Sequence, residues 1–176
     1  MRFERLTTTE NTAYAAAMEL YHVSFPFHEQ READSQAQIM NEPEYQFNLI
    51  YEEDKFVGLL LAWETQRFIY VEHFCILPAM RNQRYGQKAL ELLNQRGKTV
   101  ILEIDPPVDE VSIRRRSFYE RANYKTNDYE HDHPAYHAGY SGHRLAVLSC
   151  PDPLTKELYA EFARYLKTVV MNVKAE

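Results

Sequence analysis

Apolar positions recur along this chain with two periods, and the changes of period mark out its elements. Arg2 to Leu6 alternates as a short strand. Tyr14, Ala17, Met18 and Tyr21 then fall at helical spacing, with Thr8 or Thr9 as the cap. Ser24-Phe25-Pro26-Phe27 breaks that helix, and a second, mostly polar one is predicted from about His28 to Met40. Three runs rich in β-branched and aromatic residues come next as strands: Tyr45 to Tyr51, Phe56 to Glu64 and Phe68 to Leu77. The first two are joined by a hairpin turn at Glu52-Glu53-Asp54-Lys55, and Pro78 ends the third. A helix passes through Ala89, Leu90, Leu92 and Leu93. After it, Thr99 to Ile104 is a continuous apolar run of the kind found in a buried central strand.

Asp105-Pro106-Pro107 stops that strand, and Ser112 to Ala122 reads as a helix. Tyr124 to Asp128 begins another strand, and a polar loop rich in His and Tyr runs from Tyr129 to Gly142. Arg144 to Cys150 is the last strand, and a final helix extends from Leu154 to about Asn172. On it Leu158, Phe162, Tyr165, Leu166, Val169 and Val170 form one stripe, which either covers the core or makes a homodimer contact. The 176 residues suit a single domain, with a core of about 1–150 and a C-terminal helix of about 153–173. The order of elements predicts an α/β (α+β) fold, a mixed and mostly antiparallel sheet flanked by helices.

The net charge of −6, with no long basic run, argues against nucleic acid as a partner and fits a cationic substrate such as an amine. No signal peptide is visible, and no apolar run approaches the ~18 residues of a membrane span. Cys75 and Cys150 sit inside predicted strands and read as buried free thiols in a reducing cytoplasm.

The chemistry concentrates between Phe68 and Leu93. There a strand, a proline-marked turn and a helix succeed one another, with Arg81-Asn82-Gln83-Arg84-Tyr85-Gly86 at the turn into the helix. A helix N-terminus offers unpaired N–H groups and a partial positive charge, which makes it a seat for a diphosphate. Gly86 allows close backbone approach, and Arg81 and Arg84 add charge.

This stretch resembles motif A of the GNAT superfamily of N-acetyltransferases, Arg/Gln-x-x-Gly-x-Gly/Ala between a strand and a helix. Arg81 takes its first position and Gly86 its last, while Arg84 stands where the first glycine is usual. A second motif, Phe118 to Tyr124, is similar to the family's apolar-Tyr-x-x-x-Gly-Phe. Tyr119 matches the tyrosine, and Asn123 replaces the glycine as a left-handed cap. The resemblance covers roughly residues 1 to 150 and implies acetyl-CoA as co-substrate and a small-molecule or peptide amine as acceptor.

It also implies roles. The N–H groups from Arg81 to Gln87 (Asn82, Gln83, Arg84, Tyr85 and Gly86 between them) would hold the diphosphate. The backbone of Phe74, Cys75 and Ile76 would hold the pantetheine arm by strand-like hydrogen bonds. Ser112, at the family's asparagine position, together with Arg115 and Phe118, completes the cofactor set. Tyr119 sits where the family's general acid sits and would donate to the departing thiolate.

Glu72 interrupts an apolar strand, where a carboxylate is costly unless paired, solvated or protonated. It shares a face with Tyr70 and Phe74 if the strand is regular. It is the candidate base, the alternative being a structural carboxylate. His73 is secondary, since both can face the cleft only across a bulge. His131, His133, His137 and His143, with Asp128 and Asp132, match no standard zinc spacing. Their loop is read instead as a wall of the acceptor pocket, with Tyr129, Tyr136 and Tyr140. Ser24-Phe25-Pro26 is the other wall, with Glu29 and Glu32 to attract an amine. A non-catalytic acyl-CoA sensor or interaction module, and an enzyme for longer acyl groups, remain alternatives.

Overall fold

The computed structural model describes residues 1–172. Its strands are β1 (Arg2–Leu6), β2 (Tyr45–Glu52), β3 (Lys55–Glu64), β4 (Phe68–Ile76), β5 (Thr99–Ile104), β6 (Lys125–Asn127), β7 (Asp132–His133), β8 (His143–Arg144) and β9 (Ala146–Cys150). The helices are α1 (Thr12–Ser24), α2 (Ala33–Ile39), α3 (Tyr85–Asn94), α4 (Glu110–Arg121) and α5 (Lys156–Tyr165). Seven strands form one sheet in the order β1-β2-β3-β4-β5-β9-β6, antiparallel throughout except for β4 beside β5. A two-stranded ribbon, β7 with β8, lies within and just after the stretch that the sequence predicts as loop.

Each face of the sheet carries its own core. One is built by Ala17, Leu20 and Tyr21 of α1 and Phe162 of α5 against Phe47, Trp63 and Tyr70. The other is built by Ala89, Leu90 and Leu93 of α3 and Tyr119 of α4 against Ile69, Val100 and Leu148. Of the stripe on the final helix, Phe162, Leu166 and Val170 are buried in the first core and Leu158 and Tyr165 pack against it, while Val169 is exposed. That helix widens into a π-type turn at Leu166–Val170, and position 173 of the expected helix lies outside the described residues.

Three expectations need correction. The cap of α1 is Asn11, whose side chain accepts from the Ala13 N–H, and neither Thr8 nor Thr9 takes that part. The second helix is shorter than expected, because Phe27–Glu29 forms a separate 3-10 turn and α2 starts only at Ala33. Finally, Phe74 does not share the face of Tyr70 and Glu72. Leu61 pairs with His73 and Ala62 with Val71, so Glu72 is an extra residue on β4, a β-bulge. The bulge shifts the alternation by one. Cys75 joins the α1 side, whereas Phe74 and Ile76 pack on the α3 side.

The same bulge ends the union of β4 and β5. Their parallel pairing runs from Phe68 and Thr99 to Val71 and Leu102 and goes no further. Beyond it β4 continues on β3 as far as Ile76, and β5 continues on β9 as far as Ile104. The strands diverge and open a cleft between them. Gly58 fixes the end of β4, since a Cβ there would lie 2.3 Å from the Cys75 carbonyl oxygen.

Candidate active site

The splay of β4 and β5 opens into a cavity of about 1160 Å³. Its wall includes Phe74, Cys75 and Ile76 of β4, Arg81 to Gln87 apart from Gln83, and Arg115, Phe118 and Tyr119 of α4. After the bulge, the edge of β4 that faced β5 has no strand beside it among the described residues.

The turn into α3 has the backbone of a glycine-rich loop without the glycines. Asn82 and Arg84 both adopt left-handed φ angles, 62° and 63°, at a cost of roughly 1 kcal/mol or more for a residue such as arginine. The Arg81 N–H bonds the Pro78 carbonyl and the Lys88 N–H bonds that of Arg84. Between them the six N–H groups of Asn82 through Gln87 meet no acceptor among the described residues. At Gly86, at the helix start, a Cβ would make a tight contact, 3.1 Å, with the Phe118 ring. The Arg81 side chain turns back, Nε donating to the Ile76 carbonyl. Arg115 lines the cleft while paired with Asp105 at 2.7 Å, and Arg116 forms a surface pair with Glu120.

Two members of the expected cofactor set are not in the wall. The Gln83 side chain donates to the Ala79 carbonyl, so only its backbone belongs to the turn. Ser112 is buried in the capping box of α4, where its Oγ accepts from the Val108 and Asp109 N–H groups and bonds the Asp109 side chain. With Asp109 three residues before it, this serine closes the helix start, and its hydroxyl is fully engaged there.

Tyr119 is buried at the junction of α4 with the cleft, and its hydroxyl has no hydrogen-bond partner among the described residues. Burial pushes its phenol up to about 12, opposed by nearby Arg115, so it is protonated at neutral pH. Asn123, at φ 71°, provides the left-handed exit from α4.

The other end of the cleft is built around two carboxylates. Glu72, carried inward by the bulge, accepts from Arg31 at 2.7 Å, Trp63 Nε1 at 2.8 Å and Tyr136 OH at 3.0 Å. Burial would raise its pKa, but the Arg31 guanidinium, His73 and the hydrogen bonds from Trp63 and Arg31 together outweigh burial and hold it below the ordinary carboxylate range. With three donors engaging it, the carboxylate has the geometry of the structural alternative named for it. Arg31 also donates to Ser35 of α2 and to the Val170 carbonyl, tying the final helix to the bulge. His73 does face the same side across the bulge, with Nε2 2.8 Å from the Glu29 carbonyl. Burial pushes its pKa down, and the Arg31 charge adds to this.

Glu103 of β5 is the second carboxylate, and sequence reasoning missed it. It accepts from Tyr70 OH and pairs with His131, and His133 Nε2 lies 3.9 Å away. The signal that drew attention to Glu72, an acid inside an apolar run, was present in TVILEI too. His133, Tyr136 and His143 bring the expected loop wall to the cleft, facing Ser24, Phe25, Pro26 and Glu29. Tyr129 and Tyr140 are not wall residues. Tyr129 stacks on Tyr159 at 3.8 Å, and Tyr140 sits half-exposed at the rim against Phe27. Glu32 lies outside as well, 3.3 Å from His137. Among the described residues no three His, Cys, Asp or Glu side chains are arranged to hold a metal ion.

A splayed parallel pair, a free strand edge and an unpaired helix start form a single cleft, and comparison with known families bears on what that cleft is. The model of the acetyltransferase (GNAT) family matches residues 12–124. The chain belongs to the GNAT family. A GNAT-family protein of Bacteroides thetaiotaomicron, assigned as an acetyltransferase, superposes with a TM-score of 0.92 at 30% identity, over 99% of this chain and 100% of that one. More distant acetyltransferases share the fold. A Bacillus subtilis acetyltransferase in complex with CoA gives a TM-score of 0.56 at 12% identity, over 84% and 96% of the two chains. The ribosomal-protein-S18-alanine N-acetyltransferase of Escherichia coli gives 0.54 at 16%, over 89% and 96%. No curated protein matches the chain. No helix among the described residues is long and apolar enough to cross a membrane.

Proposed function

We propose that this GNAT acetyltransferase transfers an acetyl group from acetyl-CoA to a primary amine by direct attack in a ternary complex. The observation that carries the reading is the run of six unpaired N–H groups from Asn82 to Gln87 at the mouth of a cleft whose β4 edge is also unpaired. An anion with several oxygens satisfies the first, as at other helix starts. An amide-bearing arm satisfies the second by adding as a strand at Phe74–Ile76. Arg84, which lines the cleft, contributes charge. Coenzyme A has both parts in that order, so the residues present fit it. When bound, its thioester supplies an activated acetyl group.

The chain's own residues then have four tasks. The β4 edge aligns the thioester by its position in the cleft. Tyr119 offers its unpartnered O–H to the sulfur as charge develops there. A phenol at about 12 parts with its proton less readily than an ordinary tyrosine, so it acts foremost as a hydrogen-bond donor. Glu72, locked by Arg31, Trp63 and Tyr136, positions the wall of the acceptor pocket. Glu29, Glu103 and Asp105 give that pocket a negative lining suited to a cationic amine. Distant relatives of the same fold are named for acetylating amines of unlike size, an aminoglycoside and a ribosomal-protein alanine. They favour an amine without choosing its size. The two buried free thiols fit a reducing cytoplasm.

The test is acetyl transfer measured by thiol release and product mass across a panel of polyamines, amino sugars, amino acids and peptides. Turnover with at least one amine is expected. Tight binding of acetyl-CoA with no turnover on any amine would favour the non-catalytic sensor instead, and faster turnover with longer acyl-CoAs would favour the other acyl-group reading.

A further inference from the structure

Amine acetylation needs a proton acceptor, because an ammonium has no lone pair, and the Glu72 carboxylate is already taken by three donors. Glu103 is engaged as well, by Tyr70 and His131. His133 differs from both. Its Nδ1 lies 2.6 Å from the Pro134 carbonyl oxygen, a contact that only an N–H can make, so the ring proton belongs on Nδ1. The lone pair of Nε2 is therefore free, in a residue that lines the cleft. The ring is held between Tyr136, stacked at 5.1 Å, and His143, stacked at 5.9 Å. Glu103 Oε2, 3.9 Å from Nε2, is the nearest negative charge. Among the described residues the ion-pair partners of Glu103 are histidines, with no arginine or lysine.

We propose that His133 is the general base for the acceptor amine, and that Glu103 is the positioning carboxylate that stabilises the imidazolium it becomes. This rests on amine acetylation at this cleft. In the step, the acceptor ammonium gives one proton to His133 Nε2. The freed lone pair forms the C–N bond as the C–S bond of the thioester breaks. Tyr119 meets the electron pair left on sulfur with its O–H. The second proton shed by the nitrogen reaches the sulfur through solvent, so the amide and the thiol leave neutral, and His133 returns its proton to water.

The groups that bear on His133 are Glu103 of β5, Glu29 of the first 3-10 turn, His73 of β4, Tyr136, and His143 of β8. His73 is the weaker candidate, since its Nε2 is bonded to the Glu29 carbonyl and Arg31 stands nearby. Glu29 is the serious rival, because burial and Asp105 raise its carboxyl.

The experiment compares wild type, His133→Gln, Glu103→Gln and Glu29→Gln on two nucleophiles: the best basic amine of the panel, and hydroxylamine, which is neutral at assay pH and needs no base to free its lone pair. His133→Gln is expected to lower kcat about 100-fold on the basic amine, with unchanged acetyl-CoA affinity and near-normal kcat on hydroxylamine. Added imidazole should restore part of the loss in His133→Ala. Glu103→Gln should lower kcat less and shift the pH at which the rate reaches half its plateau. Wild-type turnover in His133→Gln on the basic amine would overturn the assignment, as would equal losses on both nucleophiles. The selective loss appearing in Glu29→Gln in place of His133→Gln would move the role to Glu29. If wild type itself acetylates neither nucleophile, the functional reading fails, a result distinct from any of these.

Discussion

Glu72 and Glu103 lie on neighbouring strands, at the point where those strands part. Both are buried and both accept from a tyrosine. They differ in the charge beside them. Glu72 faces a guanidinium with a fixed charge, whereas Glu103 faces imidazoles that can be neutral or charged. Burial raises the free energy of any carboxylate, but the partner decides its use. A fixed cation makes a structural bolt. A titratable one leaves a negative charge ready to stabilise a proton arriving nearby.

The largest effect that would break this contrast is expected from Arg31→Met. It strands the Glu72 charge and cuts the link to the Val170 carbonyl, and should cost about 3–5 kcal/mol in chemical denaturation. Glu72→Gln should cost about 3 kcal/mol, because Arg31 is then the unpaired ion, yet the folded fraction should keep most of its turnover and its pH profile. Loss of turnover at full stability would restore Glu72 as base. The sign with pH comes from its depressed pKa. The unfolded carboxyl titrates near about 4.3, so the Glu72 contribution is complete at neutral pH and is lost as the pH falls through the lower folded value. Glu72→Gln should flatten that acid limb of stability.

Tyr119→Phe should leave stability and acetyl-CoA affinity nearly unchanged, since the hydroxyl has no partner to lose, and should lower kcat about 10-fold or more. Unchanged turnover would remove Tyr119 from the chemistry. The smallest effect is expected from Arg84→Gly, which relieves a left-handed arginine but frees the unfolded chain. The two nearly cancel, within about 1 kcal/mol in thermal unfolding, while cofactor affinity falls only by the loss of one charge.

Much of the fold was legible because periodicity and burial coincide here. TVILEI reads as a buried central strand and is one, and most of the apolar stripe on the final helix packs on the core, with Val169 left exposed. The turn into α3, with its unpaired N–H groups, was legible from Arg81 and Gly86. The hidden part depends on one residue of register. The bulge at Glu72 has no sequence marker, and it decides that Phe74 faces α3 and that Glu72 and His73 share a side. The pairing of Glu103 with His131 and His133 depends on how a polar loop, distant in sequence, folds back over β5. Ser112 was hidden for a similar reason: family position implies a cofactor contact, while the local spacing from Asp109 engages its hydroxyl in the cap.

Whether the cleft holds coenzyme A is best decided by a calorimetric titration with acetyl-CoA. It would be repeated in the presence of adenosine diphosphate and with Gly86→Val, whose side chain would meet Phe118. Micromolar binding to the wild type, weakened by the diphosphate and by the variant, is the expected result. No heat at millimolar acetyl-CoA would overturn the cofactor assignment, because the six free N–H groups and the open edge of β4 would then have no cofactor to hold.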